Sequence, residues 1–85
     1  MIIRSITLAA GLAQIVPPDG EAHPGPIQWT VELPAGTTVS EDAVGSNEAT
    51  LTAAQTLVFV GENEELFAAN SSGGNAIVIG CHYPV

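Results

Sequence analysis

Ile27-Gln28-Trp29-Thr30-Val31-Glu32-Leu33 decides the fold class. Apolar residues occupy every second position, and Gln28, Thr30 and Glu32 fill the gaps. Successive side chains of a strand point to opposite faces, so this heptapeptide is a strand with one face on a core and one toward water. Pro34-Ala35-Gly36 stops it. The same period runs through Met1–Leu8, where Ile2, Ile6 and Leu8 share a face with Arg4, and Ile3 joins Ser5 and Thr7 on the other. Trp29 is expected in the core beside Ile27, Val31 and Leu33.

Other segments carry strand signals at short spacing. Leu12–Val16 reads as a short strand after Gly11, and Thr37–Ser40 as another. Gln55–Val60, Glu65–Asn70 and Ala76–Tyr83 follow, separated by Gly61-Glu62-Asn63-Glu64 and by Ser71-Ser72-Gly73-Gly74-Asn75, the latter read as a hairpin loop. Residues 17–26 hold Pro17, Pro18, Pro24 and Pro26 with Gly20 and Gly25, which excludes a helix or a central strand there. Glu41–Thr50 reads as a loop, and Leu51–Ala54 as either a strand fragment or a helical turn. No segment of ten residues shows a 3.6-residue period. The expectation is a single all-β domain over residues 1–85, a small β-barrel or sandwich (jelly-roll-like) of about six to eight antiparallel strands.

Two runs, Leu57–Val60 and Ala76–Ile79, are apolar on both faces. An antiparallel sheet with one wet face would alternate instead, so these strands are either central or covered by another subunit. At 85 residues the chain buries a modest share of its surface by itself. A homo-oligomer is therefore expected, a trimer favoured, with Val58, Val60 and Val78 as candidate interface residues.

Charge narrows the partners. Arg4 is the one basic residue against nine acids, for a formal net charge of -8. Nucleic-acid binding needs several Lys or Arg to displace phosphate counterions, so no nucleic acid is expected. An anionic membrane surface is excluded on the same ground. The chain is 46% hydrophobic and 12% charged, which argues against disorder. A lone Cys81 forms no intramolecular disulfide, which favours a reducing cytoplasm or stabilisation by oligomerisation. The first sixteen residues resemble a signal peptide with a cleavage site after Ala13, but Thr7, Gly11 and Gln14 interrupt the apolar stretch and argue against it.

Residues that could carry chemistry each have a plainer explanation. Glu62, Glu64 and Glu65 could offer oxygens to a hard cation, but their spacing does not match a calcium loop; a solvated acidic turn accounts for them. Cys81 and His82 are adjacent on a strand and point to opposite faces, so they make no nucleophile–base pair. Cys81, on the face of Ile77 and Ile79, is expected to be a small buried hydrophobe. Asn70-Ser71-Ser72 matches a glycosylation sequon and equally a turn-forming triplet. No phosphate-binding, dinucleotide or nucleophile-elbow motif occurs. The chain is expected not to be an enzyme and to use no cofactor or metal.

Leu51-Thr52-Ala53-Ala54-Gln55 and Glu65-Leu66-Phe67-Ala68-Ala69-Asn70 resemble elements near the C-terminus of small all-β virion proteins of tailed bacteriophages, with Ala54 and Phe67 where those proteins more often have Gly and Tyr. The resemblance covers about a third of the chain, in structural elements. It implies a capsid decoration (cement) protein that binds and stabilises a phage head shell. It implies the major capsid protein as partner, the virion surface as location and synthesis in the host cytoplasm. Candidate shell contacts are Ile2, Ile3, Pro17, Pro18, His23 and Pro24, where prolines stiffen the loop and limit the entropy lost on docking. The alternative is a receptor- or glycan-binding module of a fibre, tail or adhesin, which would need Trp29, Phe59, Phe67 or Tyr83 as an exposed platform.

Overall fold

The computed structural model describes residues 1–18 and 25–83. Eight strands form among the described residues: β1 (Ile2–Thr7), β2 (Ala13–Val16), β3 (Ile27–Leu33), β4 (Thr38–Ser40), β5 (Ala49–Thr50), β6 (Gln55–Gly61), β7 (Leu66–Ala69) and β8 (Asn75–His82). They make two four-stranded sheets, in the orders β1-β8-β3-β6 and β2-β7-β4-β5, with every pair antiparallel. First and last strands pair in one sheet, second and seventh in the other, and successive strands alternate between sheets except at β4–β5. This is the strand order of a jelly roll. The domain is a sandwich of two open sheets, not a closed barrel.

The alternation read from Ile27–Leu33 is realised residue by residue. Ile27, Trp29, Val31 and Leu33 are buried, while Gln28 and Glu32 are exposed. β3 is held on both sides, by β6 and by β8, which makes it the natural centre of the longer sheet. Ala76 and Val78 of β8 lie beside it facing inward. Ile15, Val16 and Ala68 close the core from the second sheet, with Leu8 and Leu51 supplied by loops. Trp29 fills the space left by Gly80, its neighbour across the pair. A Cβ at Gly80 would sit 2.6 Å from the indole ring.

Five expectations are corrected. Val78 is fully buried within its own chain, so it is no interface residue. The run 76–79 is apolar on both faces, and the sequence alone does not say which face is inside. Cys81 does share a face with Ile77 and Ile79, but that is the outer face, and it is half-buried rather than core. The loop 71–74 is not a hairpin, because β7 and β8 belong to different sheets, and the turn 62–65 likewise crosses between sheets. β4–β5 is the one sequential pair within a sheet, and β5 falls inside the stretch read as a loop. Leu51–Ala54 is neither strand nor helix.

Candidate functional site

The jelly-roll order sorts the loops into two ends with opposite chemistry. Ile27 pairs with both Gly61 and His82, and Val16 with Leu66, so these strand ends lie together. The turns 41–48 and 62–65 belong to this end, because β4 runs toward it through Ser40, the partner of Phe67. They carry Glu41, Asp42, Glu48, Glu62, Glu64 and Glu65. The opposite end is formed by 8–12, 34–37, 51–54 and 70–74. Those four loops contain Leu, Ala, Gly, Ser, Thr, Pro and Asn, and no charged residue.

The uncharged end is braced through one side chain. Asn70 is buried, and its Nδ2 donates to Ala35 O at 3.1 Å and to Thr37 Oγ1 at 3.2 Å. Its Oδ1 accepts from the Ser72 amide, its carbonyl from the Gly73 amide, and its own amide donates to Ala9 O. Thr37 Oγ1 donates to Pro34 O. Leu51 joins through Gly36 N to Leu51 O and Leu51 N to Thr37 O, both 2.8 Å. Four loops are thus tied into one platform, whose exposed residues include Ala9, Ala35, Ala53 and Ser72. Gly73 and Gly74 have φ of 82° and 104°, values that favour glycine and let the last loop turn back onto Pro34. Asn70 is the residue sequence reasoning read only as a sequon or turn former. The Nδ2 that glycosylation would modify is committed to this network. Asn followed by Ser-Ser-Gly-Gly signalled the turn, but the bridges to residues 35 and 37 depend on topology.

The acidic end is organised more loosely. Asp42 Oδ1 accepts from the amides of Ser46 (3.0 Å) and Val44 (3.1 Å). Hydrogen bonds from Ser46 chiefly, then from Val44 and Gly45, hold its carboxyl below the ordinary value of 3.8. Asn47 Nδ2 donates to Glu41. Among the described residues, no three of His, Cys, Asp and Glu converge as metal ligands would.

The predicted shell contacts among the described residues, Ile2, Ile3, Pro17 and Pro18, fall at this acidic end. Ile3 points outward and is exposed, but Ile2 packs on the core from the other face of β1. Pro17 is half-buried and Pro18 buried, so Pro18 is withdrawn from any contact. His23 and Pro24, with Asp19 and Glu21, lie outside the described residues. Of the aromatic candidates for glycan stacking, Trp29 is core, Phe59 and Phe67 are half-buried, and Tyr83 is exposed.

A second surface stands out on the outer face of β1-β8-β3-β6. The register sets Ile3, Ile79, Thr30 and Val58 in one row, with Ser5, Ile77, Glu32 and Thr56 beside it. Ile3 and Val58 are 57% and 60% exposed, and Val60 44%. A sheet face turned to water is mostly polar, whereas here five aliphatic side chains share the face with Ser5, Thr30, Glu32 and Thr56. Glu32 is the one charged side chain in these rows. No family model, curated protein or solved structure matches the chain.

Proposed function

We propose that the chain is a structural virion protein that decorates a phage head shell and seats on it through the uncharged loop end. The observation that carries this reading is the segregation of charge. Six acids crowd the turns at one end, and the braced platform at the other has none. A chain of net charge -8 approaching a large assembly meets least repulsion platform first. The small exposed side chains there have few rotamers to lose, and the Asn70 network fixes their backbone in advance, so docking costs little ordering entropy. The resemblance to phage virion proteins supplies the class of partner, the major capsid protein of the shell. The platform replaces the contact expected around Ile2, Ile3 and the proline-rich segment.

Rebinding to stripped heads tests the reading. Ala53→Asp and Ser72→Asp put a charge on the platform at exposed positions. Each is expected to weaken attachment at least tenfold, whereas Pro17→Ala at the far end leaves it unchanged. Because attraction between opposite charges is not the basis, wild-type attachment should survive or tighten slightly as salt rises. Steep loss with salt, or platform variants that bind like wild type, would overturn the reading.

A further inference from the structure

We infer that three copies of this chain pack their β1-β8-β3-β6 sheets around a threefold axis parallel to the strands, outer faces inward, with β6 of each copy pairing to β1 of the next. The argument starts from strand direction. β1 and β3 run one way, and β8 and β6 the other. Rotation about an axis along the strands leaves these directions unchanged. β6 of one copy therefore meets β1 of the next antiparallel, and the alternation continues without a break.

The β6 edge suits this, and on β1 Arg4 is the one charged residue. Over Gln55–Gly61, β6 has no charge and no proline, and it pairs with β3 without a bulge. Exposed edge strands normally carry such devices against pairing. Continuing the observed register sets Val58 beside Ile3 of the next copy, joining the Ile3–Ile79–Thr30–Val58 rows into a closed ring.

The dimensions select the number of copies. Four strands at ~4.8 Å spacing make a sheet about 19 Å wide, so three sheets edge to edge lie about 5.5 Å from their common axis. Sheets packed face to face stand ~10 Å apart, or about 5 Å each from the midplane, so three inward faces fill the axis. Four copies would hold each sheet about 9.6 Å from the axis and leave a channel. Two copies would cover the faces but leave the edges unpaired. Each face covers roughly 400 Å², in which Ile3, Ile77, Ile79, Val58 and Val60 are the apolar part beside Ser5, Thr30, Glu32 and Thr56.

Charge fits the same arrangement. Six acids lie on end turns, off the face, and a threefold along the strands sends all the acidic ends to one pole and all the platforms to the other. Glu32 is the opposing element, since three carboxylates would face one another near the platform pole. The inference stands on the face and edges alone, so it and the shell reading fail separately.

Light scattering coupled to size exclusion tests it at micromolar concentration. Wild type is expected at three times the chain mass. Val58→Glu, which adds a carboxylate to the axial ring, should fall threefold to the monomer while Trp29 fluorescence stays that of a buried indole. Glu32→Gln should hold the trimer to at least tenfold greater dilution than wild type. A wild-type monomer or dimer overturns the inference, a monomer meaning that a different partner covers the face. So does a folded Val58→Glu that remains trimeric, or a Glu32→Gln that dissociates earlier.

Discussion

The two faces of the β1-β8-β3-β6 sheet are built from much the same residues and meet different fates. Inward, Ile27, Trp29, Val31, Leu33 and Val78 are buried by the second sheet. Outward, among the described residues, Ile3, Val58 and Val60 are exposed and Ile77 and Ile79 half-buried. A small domain has apolar material for one core, and this one carries more than its own fold consumes. The difference teaches that hydrophobic content and fold stability are separable here. Inner-face residues hold the monomer together, and outer-face residues are available for association.

Substitution on the inner face should have the largest effect. Trp29→Ala removes the largest core side chain from the doubly paired central strand and should cost roughly 3–5 kcal/mol of stability, read from denaturant midpoints. Equal destabilisation by Val58→Thr in the dissociated monomer would erase the distinction between faces.

The two ends make a parallel contrast, and Asn70→Ala sharpens it. Losing the side chain removes its bonds to Ala35 O, the Ser72 amide and the buried Thr37 Oγ1, for about 1–3 kcal/mol. Amide exchange should quicken in 34–37 and 70–74 and not in 41–48. A global loss without that local signature would mean the loops are not braced through Asn70.

The smallest effect belongs to the acidic end. Asp42 has its carboxyl held low in the folded chain, so its contribution is complete above the ordinary value of 3.8 and fades as pH falls through the lower folded value. Acidification should loosen 41–48 in amide spectra, with the Ser46 and Val44 amides moving first, and leave the core intact. Because the loop is solvated, the change is local. In Asp42→Asn the titration should vanish.

How much of this was legible beforehand follows from what strand periodicity encodes. The alternation in 27–33 gave the face, the exposed and buried positions and the central role of Trp29. It could not give the partner of a strand. Gly61-Glu62-Asn63-Glu64 and Ser71-Ser72-Gly73-Gly74 have the turn chemistry of hairpins, and that chemistry serves equally when the chain crosses between sheets. β5 is two residues long, too short to show a period. Where both faces are apolar, as in Ala76–Ile79, alternation loses its sign, and Val78 was placed on the wrong side. The uncharged platform was beyond reach for a related reason. Its four loops are scattered from residue 8 to residue 74, and only the jelly-roll order brings them together.

The outer face carries its own reporter, which tests its burial most directly. Cys81 is the chain's one cysteine and lies on that face beside Gln28, half-buried in the single chain. Its rate of alkylation by a bulky maleimide should be measured across protein concentration at fixed pH and salt, with Trp29 emission recorded to confirm the fold. At micromolar concentration and above the account predicts labelling at least tenfold slower than in the diluted, dissociated chain, the two regimes joined by a steep concentration dependence. A rate that is fast and independent of concentration, in protein whose Trp29 emission is that of a buried indole, would show the face open to solvent and contradict it.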